Sequence, residues 1–247
     1  MAINQIGFKN TVLPVPKQVK AIISVFFSSF FVHLNMALVY LRELNTETKF
    51  AIWKIEESAE ELLEKLQLDE VEQNKLSQLS KGKRTLHWLA TRVLLRFLLQ
   101  TDQFIHCPSD TNGKPYLPDY PYKISLTHSF EYAGVMLSTQ GECGMDLELV
   151  MDKVVRIKEK FLKTEELDFI APENQVMQLY ACWCAKEAVY KLQGNKGVSF
   201  LNDMTIKSFN YKPQGVMLLD LTKNGITRTY EVFYEQFQNY MLGFAVE

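Results

Sequence analysis

The chain has 247 residues, a formal net charge of −2, and 47% apolar and 12% aromatic content. That much apolar side chain excludes disorder as the default and suffices for one large domain or two modest ones. The near-neutral balance rules out no partner but carries no global basic signature for nucleic acid, and no nucleic-acid partner is among those expected.

Residues 21–41 contain no Asp, Glu, Lys or Arg and follow Lys9, Lys17 and Lys20. On length alone this is a transmembrane or signal-anchor pattern. Met36 to Leu41 reads better as the first strand of a globular domain, leaving about fifteen apolar residues upstream, short for a span. Residues 1–35 are therefore expected to lie outside the fold, as an upstream extension of a reading frame whose natural start is Met36. An anchor is the alternative. A second strand is predicted over Phe50–Ile55. Ser58 with Glu61 forms a capping-box pattern at the start of a helix with Leu62, Leu63 and Leu66 on its apolar face. A second helix is predicted from about Asp69 to Gln78, and a third from about Arg84 to Gln100, where Leu86, Leu89, Ala90, Val93, Leu94 and Phe97 follow the helical rhythm. Lys81, Lys83, Arg84, Arg92 and Arg96 around this third helix are either readers of an anionic ligand or solvated charges.

Asn112-Gly113 is a turn signal, and Pro115 and Pro118 keep the following backbone extended, which displays Lys114 on a rigid loop. Lys123–Ser129 reads as a strand running into hydrogen-bonding Thr127, His128 and Ser129, and Tyr132–Leu137 as the next strand. His128 has no Ser or Cys nucleophile motif to accompany it, which argues against a hydrolase triad. Thr164 is placed as the N-cap of a short helix, and a long helix is predicted from about Glu173 to Gln193, stopping at Gly194. The remainder reads as strands at about 203–209, 215–222, 227–235 and 240–246, with a hairpin signal at Asn224-Gly225. Cys107 and Cys143 stand alone, and Cys182 and Cys184 diverge on the long helix. None has zinc-site spacing, so all four read as reduced packing thiols of a cytoplasmic protein.

The densest chemistry lies in residues 143–191. In Cys143–Val150 the apolar Met145, Leu147 and Leu149 alternate with Asp146 and Glu148, so the two carboxylates share one strand face roughly 7 Å apart. Trp183, Glu187 and Lys191 recur every four residues along one helix face. Packed together, these segments would gather three carboxylates and a lysine, an oxygen-only set suited to a hard ion such as Mg²⁺. Each feature alone also reads as a solvated strand face or a surface ion pair.

Four segments in this order, Gly113-Lys114-Pro115, Ser125-Leu126-Thr127-His128-Ser129, Gly144-Met145-Asp146-Leu147-Glu148 and Trp183-Cys184-Ala185-Lys186-Glu187 with Lys191, resemble the 4′-phosphopantetheinyl transferases, specifically the single-chain Sfp-type group. The resemblance covers roughly residues 36–247. It implies an α+β fold of two similar α/β halves, about 36–140 and 141–247, forming a pseudo-dimer with coenzyme A between them. It implies holo-[acyl-carrier-protein] synthase chemistry: transfer of 4′-phosphopantetheine from coenzyme A to a serine of an acyl or peptidyl carrier protein, with release of 3′,5′-ADP. By resemblance Asp146, Glu148 and Glu187 bind Mg²⁺, with Mn²⁺ also suitable. Glu187 or a water it orients is the base, and Lys191 serves the pyrophosphate or proton transfer. Lys114, Thr127, His128, Lys186 and Arg92 contact coenzyme A, and Trp183 is a core residue positioning the helix. Thr127 and Cys184 stand where the family has Ser, and Ser or Thr. A monomer without membrane association is implied. The alternatives are another Mg²⁺-dependent phosphoryl-transfer enzyme, or a carrier-protein binder without catalysis.

Overall fold

The computed structural model describes residues 37–79 and 82–247. The expectations for residues 1–35, Met36 and Lys81 fall outside these residues.

The first sheet holds β1 (Leu38–Glu43), β2 (Thr48–Lys54), β3 (Lys123–Ser129) and β4 (Tyr132–Ser138), all antiparallel, in the order β1-β2-β4-β3. Between β2 and β3 come α1 (Ala59–Glu64), α2 (Glu70–Gln78) and α3 (Lys83–Leu99). The capping box forms: Ser58 Oγ accepts from the Glu61 N–H, and the Glu61 carboxylate accepts from the Ser58 N–H. Side chains of β2 alternate between two cores because neighbours on a strand face opposite ways. Ala51 and Trp53 join Leu89, Val93 and Leu94 of α3, whereas Phe50 and Ile52 face the second sheet.

The second sheet is built from β5 (Cys143–Leu149), β6 (Met204–Ile206), β7 (Gln214–Lys223), β8 (Ile226–Phe237) and β9 (Tyr240–Val246), antiparallel in the order β5-β9-β8-β7-β6. Two 3₁₀ segments, Asp152–Lys160 and Pro172–Asn174, and a single turn α4 (Thr164–Leu167) lead to α5 (Gln175–Gln193). Helix α5 lies directly against β5 and β9. Glycine at two strand positions permits that closeness. A Cβ on Gly144 would stand 1.9 Å from the Ala188 carbonyl oxygen, and one on Gly243 would stand 2.8 Å from the backbone of Cys184. The opposite face of the sheet supplies Met145, Leu147, Leu242 and Phe244 to the core shared with Phe50 and Ile52. Truncating one such residue to alanine would cost about 2–5 kcal/mol. An Arg42–Glu235 ion pair of 2.8 Å ties β1 to β8.

The fold is α+β, as expected, with local corrections. Thr164 is the first residue of α4 rather than its cap. Lys163 takes the cap position, its N–H donating to the Glu166 carboxylate at 2.8 Å. Helix α5 starts at Gln175, since the chain from Pro172 is held in a 3₁₀ turn. Strand β6 has three residues, shorter than predicted. All four cysteines are free and buried.

Candidate active site

Gly144, Asp146 and Glu148 alternate along the face of β5 that meets α5, and Glu187 and Lys191 stand one turn apart on the helix. Lys191 Nζ donates to Asp146 Oδ1 at 2.7 Å and to the Met145 carbonyl at 3.1 Å. Strand β5 is an edge strand, so its outer N–H groups need partners from elsewhere. Side chains of β3 supply them, every second residue. The N–H groups of Met145, Leu147 and Leu149 donate to the hydroxyls of Ser125, Thr127 and Ser129 at 3.0, 3.2 and 3.1 Å. Two of these hydroxyls also donate to carboxylates: Thr127 Oγ1 to Asp146 Oδ1 and Ser129 Oγ to Glu148 Oε2, both at 3.0 Å. This ladder joins the two sheets and fixes the carboxylates in one stroke.

Burial, with the Asp146 charge added to it, raises Glu187 to about 7, Lys191 opposing. Burial and then Asp146 raise Glu148. Burial works against the charge of Lys191, but Asp146 and Glu187 more than offset it and hold the ammonium above its ordinary value. The cluster is therefore a set of mutually repelling acids with one lysine as counter-charge. Among the described residues no three His, Cys, Asp or Glu side chains stand as a ready-made metal cluster. Lys191 and Thr127 both donate to Oδ1 of Asp146. The donor set nevertheless fits a hard divalent cation. It is all oxygen, its repulsion would be relieved by positive charge, and Asp146 Oδ2 is buried with no hydrogen-bond partner.

Lys191 also lines a cavity of about 480 Å³. Of the residues predicted to contact ligand, Arg92, Lys114 and His128 line it, joined by Arg84, Lys75 and Trp88. Among the described residues five cations and no carboxylate face this cavity, which suits a polyanion. Arg92 stacks its guanidinium 3.5 Å over the Trp88 ring and donates to Glu72 at 3.1 Å. The N-terminus of α3 has no side-chain cap and no acidic residue in its first turn, and carries Lys83 and Arg84 instead. The His128 ring stacks on that of His87 with centroids 4.4 Å apart. The His87 Nε2 lies 2.8 Å from the Phe130 carbonyl, which makes it the donor nitrogen. Burial, with His87 and Lys191 adding to it, lowers His128 to about 4, so its imidazole is neutral at pH 7.

Lys114 is displayed by an Asx-type loop in which Asp110 Oδ1 accepts the N–H groups of Asn112 and Lys114 at 2.8 and 2.9 Å, and Gly113 takes φ +87°. Its ammonium is engaged by Glu142 and the Leu192 carbonyl, so the loop is fastened to the end of α5. Two of the residues predicted to contact ligand, Lys186 and Thr127, do not line this cavity. Lys186 points away from the cavity into the core. It is fully buried and donates to Glu166 and to the carbonyls of Phe161, Phe200 and Met204. The reason is spacing: Lys186 is one residue from Glu187, about 100° around the helix, and cannot share its face. Thr127 is buried and turned to Asp146, so it positions a carboxylate. Trp183 packs edge-on to Phe161 and Phe200 as a core residue. Lys75, Trp88 and His87 were not singled out from the sequence, and Ser125 entered only as the first residue of the 125–129 segment. The recurrence of hydroxyls at 125, 127 and 129 on a predicted strand is the signal that could have found the ladder.

Residues 142–245 match the model of the 4′-phosphopantetheinyl transferase superfamily. A protein of Synechocystis sp., provisionally named a 4′-phosphopantetheinyl transferase, is 31% identical over 147 residues, 51% of this chain and 58% of its own length. The 4′-phosphopantetheinyl transferase AcpT of Escherichia coli K12 is 29% identical over 124 residues, 47% of this chain and 62% of its own length. AcpT of Salmonella typhimurium is 28% identical over 141 residues, covering 54% and 72%. The chain thus spans less than two thirds of the length of the Synechocystis and E. coli proteins.

Proposed function

We propose, from the match of residues 142–245 to the 4′-phosphopantetheinyl transferase superfamily, that the chain moves 4′-phosphopantetheine from coenzyme A to a serine hydroxyl of an acyl or peptidyl carrier protein. The observation that carries this reading is Lys191. It lines the cationic cavity and at the same time holds Asp146 of the acidic cluster, so a polyanion in the cavity would meet the cluster through it.

In this reading the serine oxygen forms a bond to the β-phosphorus of coenzyme A, the pyrophosphate P–O bond breaks, and 3′,5′-ADP leaves. Asp146, Glu148 and Glu187 would hold Mg²⁺ or Mn²⁺, which when bound supplies charge neutralisation at the pyrophosphate. Glu187, raised to about 7, suits the acceptance of the serine proton, directly or through a water it orients. Lys191 offsets charge on the departing phosphate. Neutral His128 donates a hydrogen bond to the nucleotide phosphates beside Arg84, Arg92 and Lys75, while Lys114 shapes the cavity wall.

The architecture is read as the single-chain Sfp-type pseudo-dimer, with halves at about 36–140 and 141–247. What supports this is an antiparallel sheet with a long helix in each half, and a cavity lined by residues of both. A single chain would then suffice, as a monomer. The free cysteines support a cytoplasmic setting. Among the described residues no helix is long and apolar enough to cross a membrane.

The test is mass spectrometry of an apo carrier protein after incubation with the full chain, coenzyme A and Mg²⁺. A gain of one phosphopantetheine, abolished by EDTA, supports the reading. No gain with acyl and peptidyl carriers alike opposes it.

A further inference from the structure

The three rungs of the hydroxyl ladder are not equivalent. Thr127 and Ser129 each accept a β5 N–H and donate to the carboxylate of the residue just before it: Asp146 precedes Leu147, and Glu148 precedes Leu149. In the same register Ser125, accepting from Met145 N–H at 3.0 Å, would donate to the side chain at 144. That residue is glycine, and the packing of α5 keeps it so, because a Cβ there would lie 1.9 Å from the Ala188 carbonyl oxygen. The Ser125 proton therefore has no acceptor among the described residues, while the hydroxyl oxygen is held in place by the strand.

Ser125 lines the cationic cavity. Both polar groups of Met145 on the free edge of β5 are used there, the N–H by Ser125 and the carbonyl by Lys191. A fixed hydroxyl with an unused proton, next to an ammonium and, among the described residues, with five cations and no carboxylate on the cavity wall, is a donor prepared for an anionic oxygen. We propose that Ser125 is a ligand-binding residue whose hydroxyl donates to a phosphate-ester oxygen of the molecule in this cavity. The inference rests on reading the cavity as the coenzyme A site.

Isothermal titration of the full chain with coenzyme A tests it. Ser125→Ala should weaken binding about tenfold or more, the usual worth of a hydrogen bond to a charged group. Ser125→Thr, which keeps the hydroxyl, should stay near wild type. Ser125→Cys, a weak donor of similar size, gives the same weakening if the alanine variant does not fold. Affinity for Mn²⁺ alone should be unchanged in Ser125→Ala, because no carboxylate depends on this rung. Equal coenzyme A affinities in wild type and Ser125→Ala overturn the proposal and leave the function standing. So does a parallel loss of Mn²⁺ affinity, which would make the rung a support of the carboxylates. A wild-type chain that does not bind coenzyme A overturns the functional reading and this proposal together.

Discussion

Thr127 and Asp146 meet across the seam between the two sheets: the threonine hydroxyl donates to Asp146 Oδ1 at 3.0 Å while accepting the Leu147 N–H at 3.2 Å. One side chain thus sets both the register of the edge strand and the aim of a carboxylate. Removing the hydroxyl leaves a buried N–H unsatisfied, at a cost of about 1–3 kcal/mol. Thr127→Val should lower stability by that amount in urea unfolding and weaken Mn²⁺ binding about tenfold in titrations followed by electron paramagnetic resonance. Thr127→Ser should restore both. A valine variant with wild-type Mn²⁺ affinity would remove Thr127 from the site.

Lys186 separates stability from function. Its ammonium and the Glu166 carboxylate are both fully buried at 2.8 Å, and its other two N–H groups are shared among three carbonyls within hydrogen-bond distance. Breaking one side of such a pair strands the other charge, at about 3–5 kcal/mol. Lys186→Met should show that loss in denaturant titration, and the double change with Glu166→Leu should recover part of it. Coenzyme A affinity of the folded fraction should match wild type. A specific loss of coenzyme A binding without loss of stability would return Lys186 to the ligand.

His128 gives the acid side of the stability curve a definite sign. The unfolded imidazole titrates near 6.5, and in the fold, lowered first by burial and then by His87 and Lys191, it titrates at about 4. Between these values the unfolded chain binds a proton that the folded chain refuses. The contribution is therefore fully present above pH 6.5 and lost as pH falls towards 4. The other groups around His128 do not change this direction, since Asp146 opposes the shift without reversing it. His128→Asn should lose less stability than wild type between pH 6.5 and 4.5 in urea midpoints. Identical slopes would contradict the neutral imidazole.

Much of this was legible in the residues. Alternation in Met145 to Leu149 fixed which side of β5 carries the acids, and the four-residue spacing of Glu187 and Lys191 put both towards that face. The element order followed from caps, turns and periodicity, because those signals are local. What was not legible depends on contacts distant in sequence. Lys186 reads as a phosphate ligand until Glu166, Phe200 and Met204 are seen closing around it. Ser125 reads as an ordinary strand serine until β3 is laid beside β5. Lys75 and Trp88 reach the cavity because α3 packs on the first sheet and Glu72 of α2 pairs with Arg92 of α3, which no spacing within either helix encodes.

The most direct measurement combines the transfer assay with one substitution. Apo acyl and peptidyl carrier proteins are incubated with coenzyme A, Mg²⁺ and either wild type or Glu187→Gln, and intact masses are recorded. On the proposed reading, removing the carboxylate raised to about 7 would take away both a cation ligand and the proton acceptor. The account predicts one phosphopantetheine added by wild type and at least a hundredfold slower addition by the variant, the lower range for loss of a general base. Wild-type rates in Glu187→Gln, or no addition by wild type to any carrier despite intact folding, would contradict it.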